Sequence, residues 1–464
     1  MKWRHSLIYL AVLLGVAGYY YYFEVVKQAE KEKAEAEAKK IFALQADQIT
    51  ALEVSAPEKP PVRLKREGGE WRITDPVDAE VEKSAVESLV NTLAGLAWEV
   101  EVAREAQDFK PFGLTDPAQL KIRFTAGGRE LELLVGEKNP VGRGHYARRG
   151  DASQVFLLET SNWSLLNKGL DELRRRALFT FKPEEVTGLS LEWAGGGGLR
   201  VLRDEGSDVW RAPDRADLKV KESKVRNVIE QVQWLRAQSF VEEGVAKLDA
   251  HGLMPPHVKV RLQLAGERTA ELTLAARDGE KARQVKAVSS ELPAVVQIDA
   301  GILEDLPRDL PALEDRSLVG FKSRDVNEVR WTLGEARGHA VQLESNQWEL
   351  RAESGQGTPL KEPWRLSSLL WDLQQLEYHR KVEPMPESPR EPHARMELLN
   401  KGKPLAVLTW EGASGAEQQP AGGTASRMVW VDEGGRVAGF EVPSEALQRA
   451  EESLTRVLAA QSEK

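Results

Sequence analysis

A helical stripe that occurs three times constrains this chain more than any other feature. Val86, Leu89, Val90, Leu93 and Leu96 are spaced 0, 3, 4, 7 and 10, as are Val225, Val228, Ile229, Val232 and Leu235, and again Leu366, Leu369, Leu370, Leu373 and Leu376. That spacing places each set on one face of an α-helix. A tryptophan after a polar turn precedes each stripe: Trp71, Trp210 and Trp348, at intervals of 139 and 138 residues. A chain made by repeating one unit displays surfaces more readily than it houses one buried reaction centre. At 464 residues, the usual size of about 150 residues per domain also predicts three domains.

The stripes belong to a longer repeated pattern. Repeats are expected over 41–180, 181–320 and 321–464, after an N-terminal segment over 1–40. Each repeat opens on a phenylalanine (Phe42, Phe181, Phe321) and runs into an apolar strand: Ile49 to Val54, Val186 to Leu191, Val326 to Leu333. A hairpin follows, with Gly, Asn or Ser at its turn, as tight turns with positive φ require. After the helix, the first two repeats carry matched turns, with Gly113 and Gly252 spaced 139 apart. Further alternating strands begin LKIRF at 120–124, VKVRL at 258–262 and ARMELL at 394–399. Strands outnumber helices and pair locally. The predicted class is α+β: three tandem related modules, each a largely antiparallel sheet with one main packing helix, after an N-terminal transmembrane helix. The tryptophans are in phase with the apolar strand faces and read as core, the alternative being a carbohydrate- or peptide-stacking role. The third repeat has drifted: Glu391-Pro392-His393 replaces the Gly-Leu turn, and residues 411–426 form a small-residue loop.

Residues 7–23 carry no charge, which is long enough to span the hydrocarbon core as a helix. Tyr19 to Tyr22 fall at one expected membrane boundary, where amphipathic rings concentrate. The preceding MKWRH makes a short basic region, so a cleaved signal peptide is the competing reading. Four tyrosines directly after the small residues favour an uncleaved anchor. Lys27, Lys31, Lys33, Lys39 and Lys40 after the span would, by a literal positive-inside count, keep the body in the cytoplasm. The short basic tail before the first apolar span, together with the resemblance given below, favours an extracytoplasmic body instead. The Ala-, Lys- and Glu-rich residues 24–40 read as a helical stalk supported by pairs such as Glu35 and Lys39.

A formal charge of −9 argues against nucleic acid as a partner. With no cysteine, the chain has no disulfide, thiolate nucleophile or Cys-ligated metal. The seven histidines are His5, His145, His251, His257, His339, His379 and His393. None stands in HExxH or another close metal spacing, and neither a G-x-S-x-G elbow nor a P-loop is present. No catalytic residue, metal or cofactor is therefore expected. Gly195 to Gly198 lack the Lys-Ser/Thr of a phosphate loop and read as a hairpin tip. In the loop GEKNPVGRGHYARRG at 136–150, Arg143, His145, Arg148 and Arg149 are placed to make an anion-binding rim on which Tyr146 stacks. The reading preferred over it is a solvated hairpin with Tyr146 tucked inward. Arg174-Arg175-Arg176 reads as a solvated helix end.

The series Trp71, Phe112-Gly113-Leu114-Thr115-Asp116-Pro117, Gly136, Tyr146-Ala147-Arg148 and Val155 resembles domain-of-unknown-function family 4340. The resemblance is good over 45–180, fair over 181–320 and poor beyond. It implies a bacterial protein with an N-terminal anchor, of a kind encoded beside ABC-type transporters of the gliding-motility type. It implies no catalytic residues. The resulting expectation is a non-catalytic accessory protein of an envelope export system, held in the inner membrane with its body in the periplasm. Its partners would be transporter subunits or other envelope proteins. The alternative is an extracytoplasmic receptor or enzyme with a single pocket in the first repeat.

Overall fold

The protein is described here by a computed structural model covering residues 37–57, 59–142, 144–344, 347–351, 357–385, 387, 392–412 and 425–462, with Trp3 and Tyr21. Apart from Tyr21, the anchor expected over 7–23 lies outside the described residues, as does most of the stalk and residues 413–424 of the small-residue loop. Among the described residues no helix is long and apolar enough to cross a membrane. The same residues form three antiparallel sheets of nine, eight and nine strands, and seven α-helices. The chain divides into two compact units, residues 1–197 with 228–306 and residues 198–227 with 307–464.

The first sheet lies wholly in the first unit. Its strands are β1 (Ile49–Ser55), β2 (Val62–Glu67), β3 (Glu70–Asp75), β4 (Ala79–Glu80), β5 (Val100–Ala103), β6 (Leu120–Ala126), β7 (Arg129–Lys138), β8 (His145–Arg149) and β9 (Val155–Leu158). They are ordered β4-β3-β2-β1-β6-β7-β8-β9-β5. Helix α1 (Lys83–Gly95) buries Val86, Leu89, Val90 and Leu93, all from the stripe. It ends where Leu96 turns extended at φ −62°, ψ 120°. The short helices α2 (Thr160–Leu166) and α3 (Leu170–Leu173) add Leu166 and Leu173 to the same core. Along the strands, Leu52, Val54, Leu64, Ile73, Ile122 and Phe124 point into that core. Their neighbours point the other way, because side chains alternate along a strand.

That second face of the sheet is divided. Over β7 to β9 it carries a smaller cluster of Leu114, Ala118, Leu134 and Val155, packed by Phe109, Phe112 and Tyr146. The turn at 112–114 approaches β7 so closely that a Cβ on Gly136 would lie 2.1 Å from the Phe112 carbonyl oxygen. Gly113 has φ +64°, and a Cβ there would meet Glu137 at 2.7 Å. Two landmark glycines of the sequence are thus one contact. Over β1, β2 and β6 the face is left open.

The next elements are β10 (Val186–Trp193), β11 (Gly198–Arg203), β12 (Trp210–Arg211), α4 (Glu222–Gln233), β13 (Ser239–Glu243), β14 (Val258–Leu264), β15 (Thr269–Leu274), β16 (Gln284–Ser289), β17 (Ala294–Asp299) and α5 (Ile302–Asp305). Strands β10 and β13 to β17 belong to the first unit and run β10-β14-β15-β16-β17-β13. This repeats the β1-β6-β7-β8-β9-β5 part of the first sheet. Strands β11 and β12 belong to the second unit and pair with each other. The α4 stripe is buried, with Val225 and Val232 at 0% exposure.

The third sheet lies wholly in the second unit. Its strands are β18 (Glu328–Leu333), β19 (Ala336–Glu344), β20 (Gln347–Arg351), β21 (Gly357–Pro359), β22 (Arg380–Val382), β23 (Ala394–Asn400), β24 (Lys403–Trp410), β25 (Ser426–Glu433) and β26 (Arg436–Pro443). Their order, β21-β20-β19-β18-β23-β24-β25-β26-β22, is that of the first sheet strand for strand. Helix α6 (Trp364–Gln374) buries Leu366, Leu369, Leu370 and Leu373. Here the terminal helix is long: α7 (Ser444–Ser462) adds Leu447, Ala450, Leu454 and Val457 to the core. Drift in the third repeat has therefore changed its sequence and its terminal helix but not its strand order.

The segments that join repeats use one hydrogen-bond register twice. In the first unit, Glu82 N donates to Leu173 O (2.8 Å) and Arg175 N to Glu80 O (2.8 Å), then Ala237 N to Arg176 O (2.7 Å) and Leu178 N to Leu235 O (3.0 Å). In the second unit, Lys221 N donates to Leu313 O (2.9 Å) and Asp315 N to Lys219 O (2.7 Å), then Tyr378 N to Arg316 O (3.0 Å) and Leu318 N to Leu376 O (2.9 Å). Every linker position is shifted by 140 residues. Each linker is zipped to the residues before one helix and after the next, so its backbone polar groups are satisfied without a strand of its own.

Candidate functional site

The open part of the first sheet carries a row of alternating charge in strand register. Glu53 on β1 faces Arg63 on β2 and Arg123 on β6. Arg123 in turn faces Glu132 on β7, and Arg63 faces Asp75 on β3. Arg63 Nε donates to Glu53 at 2.8 Å, Arg123 Nε to Glu132 at 2.9 Å and Arg123 Nη1 to Glu53 at 3.4 Å. Arg63 Nη1 lies 3.8 Å from Asp75. The hydrogen bond that Arg63 donates to Glu53, reinforced by the charges of Glu53 and Asp75, raises the Arg63 guanidinium above its ordinary pKa. The bond to Glu132 raises Arg123 likewise, against a smaller opposing effect of burial. Strand alternation puts these residues on the face opposite their core neighbours Leu52, Leu64, Ile122 and Leu133, and the strand order sets them side by side.

The row crosses a wide hollow of about 860 Å³, with Phe42, Lys65, Thr125 and Asp151 also on its walls. Each carboxylate in the row is engaged by a guanidinium, so the arrangement does not poise a free acid and base at hydrogen-bonding distance, as general acid–base chemistry requires. It can set a register for a surface of opposite alternation. In the second sheet Arg261 on β14 donates to Glu271 on β15 at 2.7 Å, and Lys259 adds a contact at 3.1 Å. These positions match Arg123 and Glu132. The bond from Arg261 holds the Glu271 carboxyl below the usual carboxylate range. In the third sheet the matching register pair is Glu397 and Val407, and the charged pair is lost.

The residues expected to form a rim do not share one face. Arg143 lies outside the described residues. Tyr146 and Arg148 alternate with His145, Ala147 and Arg149 on β8. Tyr146 packs edge-on to Phe112 at 5.1 Å, and the Arg148 guanidinium lies 4.1 Å from the Phe109 ring centre. Arg148 Nη1 donates to Gly150 O at 3.0 Å and Ala152 O at 3.3 Å. On the other face, His145 stacks on Trp163 at 4.2 Å with an 8° tilt. Arg149 is held by Asp151 through two bonds of 2.9 Å. Among the described residues, no three His, Asp or Glu side chains are grouped to hold a metal ion.

The reading of Arg174 to Arg176 as a solvated helix end is corrected by the structure. Arg174 is 3% exposed. Arg175 donates to the Glu291 carbonyl, and Arg176 Nε donates to Ala237 O at 2.6 Å. The three arginines tie the linker to strands and turns of the following repeat.

No curated protein matches the chain. The profile described as "Domain of unknown function (DUF4340)" matches it over residues 71–256 and again over 210–394. The two matches begin on Trp71 and Trp210, the tryptophans that mark the repeats, and together they span well over half of the sequence. The chain belongs to the DUF4340 family, with the family's unit present in overlapping, repeated form.

Proposed function

We propose that this protein is a non-catalytic scaffold of a bacterial envelope export system, anchored by residues 7–23. Its repeated sheets bind transporter subunits or their cargo in the periplasm. The observation that carries this reading is the row Asp75–Arg63–Glu53–Arg123–Glu132 on an open sheet face, with its Arg261–Glu271 counterpart in the second sheet. Charges already paired within one surface add little affinity for a small ion. They steer and align a partner that offers the complementary row. Repetition of the pair on two sheets suits a partner that contacts more than one repeat, where effective concentration multiplies weak contacts.

The test is a crosslinking pull-down of the full-length protein from native membranes. Wild type is compared with a full reversal, Asp75→Lys, Arg63→Glu, Glu53→Lys, Arg123→Glu and Glu132→Lys, which preserves every pairing but inverts the row. Recovery of ABC-transporter subunits that falls with the inverted row supports the proposal; equal recovery from both removes the open face from it. A second reading, a small-molecule receptor, draws on the size of the hollow, which is typical of ligand sites. It requires a low-molecular-weight compound to copurify with the wild type and to be lost from the same variant.

A further inference from the structure

Trp71 departs from its two counterparts. Trp210 and Trp348 are 7% and 5% exposed, whereas Trp71 is half-buried and forms one wall of a cleft of about 290 Å³. The cleft lies between the β2–β3 hairpin and α1. Trp71 shares strand parity with the core residue Ile73, so the cleft belongs to the helix-covered face and is distinct from the charged hollow. Val81 and Val90 add apolar surface beside the ring.

The rim is polar and of both signs. Arg66 is anchored, donating from Nε to Gly69 O at 3.1 Å and from Nη1 to Asp47 O at 3.3 Å. Lys83 lies 4.0 Å from Glu70. Glu87 and Asn91 stand one turn apart on α1 and both line the cleft. A free anion would face the carboxylates of Asp47, Glu70 and Glu87; an organic cation would face Arg66 and Lys83. A neutral ligand that has an apolar face for the indole and both donors and acceptors around its edge satisfies all of these groups. We propose that the Trp71 cleft binds one pyranose ring of a sugar. Its C–H face would lie on Trp71, and its hydroxyls would exchange hydrogen bonds with Glu87, Asn91 and Lys83. This proposal stands apart from the scaffold reading.

Saturation-transfer NMR on the full-length protein in detergent tests it. The probes are the methyl glycosides of glucose, galactose and mannose, N-acetylglucosamine, its trisaccharide, and acetyl-arginine amide. The expected result is transfer to at least one sugar, strongest at ring C–H protons. Affinity should fall about tenfold in Glu87→Ala and in Asn91→Ala, since each removes a hydrogen-bond partner. Both positions are exposed, so these variants leave the core intact, and Trp71→Phe should keep measurable binding. A trisaccharide that binds more tightly than the single sugar identifies a glycan chain as the source, and equal binding identifies a free sugar. Transfer to acetyl-arginine amide alone, to no probe, or to sugars equally in wild type and both α1 variants overturns the proposal.

Discussion

Arg174 donates from Nη1 and Nη2 to the two carboxylate oxygens of Glu243, at 2.6 and 3.0 Å. Its guanidinium lies 3.2 Å from the centre of the Phe240 ring. The two partners are unequal: the Arg174 side chain is 3% exposed and that of Glu243 49%. Solvent screens the carboxylate but not the cation. Loss of Glu243 therefore leaves a buried guanidinium without its counterion.

Glu243→Ala is expected to destabilise the first unit by about 2 kcal/mol, below the cost of breaking a fully buried pair because one partner is half in water. Arg174→Met should cost less than Arg174→Ala, since an apolar chain of similar length keeps the packing against Phe240 without a charge to desolvate. Thermal unfolding of the single and double variants measures the coupling. Additive effects of the two alanine substitutions would show that the pair contributes nothing as a pair.

Glu377 makes a different tie in the second unit, accepting from Lys221 Nζ at 2.6 Å and from Lys224 Nζ at 2.9 Å. Burial pushes its carboxyl up, and the two ammonium groups more than offset this, leaving it below the ordinary value of 4.5. A carboxyl depressed in the folded state contributes stability above its unfolded pKa, and that contribution is lost as pH falls through the folded value. The second unit should hold this contribution above pH 4.5 and lose it progressively below. Glu377→Gln should lower stability at neutral pH and flatten the acid limb of the stability profile. An acid limb of unchanged slope would count against the linkage.

The contact between Gly136 and the Phe112 turn predicts a steep cost for one methyl group. A Cβ at Gly136 would sit 2.1 Å from a backbone oxygen and 2.8 Å from Gly113 C. Neither neighbour is a flexible side-chain end, so the 112–114 turn must lift from β7. Gly136→Ala should cost about 3 kcal/mol or more, the range of severe overpacking. Gly127→Ala is the control for strain alone, because it has φ +55° with nothing within 4 Å of the added carbon. Its cost should stay near 1 kcal/mol. Equal melting temperatures for the two variants would contradict the packing argument.

The repeated architecture was legible because its signals are local. The α1, α4 and α6 stripes need only 3.6-residue periodicity, and β1, β6, β10, β14 and β23 need only alternation. The strands predicted from 49, 120, 186, 258 and 394 begin at those residues. Arg174 was misread because its partner lies 69 residues away in the next repeat, and local spacing carries no trace of such a pair. The separation of Tyr146 and Arg148 from His145 and Arg149 was available in principle: a strand at 145–149 sends alternate side chains to opposite faces. The charged row needed the strand order β3-β2-β1-β6-β7, which no single segment encodes.

In the third repeat one carboxylate oxygen is shared by two buried donors. Trp410 Nε1 and Arg427 Nη1 both donate to Glu451 Oε1 at 2.8 Å, and His393 Nε2 lies 3.7 Å from the same oxygen. Trp410 is fully buried and the Arg427 side chain is 8% exposed, so neither donor has ready access to water. Glu451→Ala removes the acceptor from both and should cost about 2–3 kcal/mol, the desolvation penalty of orphaned buried donors. Glu451→Gln keeps a carbonyl oxygen able to accept from Trp410 but removes the charge that compensates Arg427, and should fall between wild type and alanine. Glu451 lies on α7 and its donors on β24 and β25, so the bond pins the long terminal helix to the sheet. Hydrogen exchange of the α7 amides should accelerate in Glu451→Ala before global unfolding does. Exchange that rises equally across the whole third repeat would instead assign Glu451 a role in overall stability rather than in holding that helix.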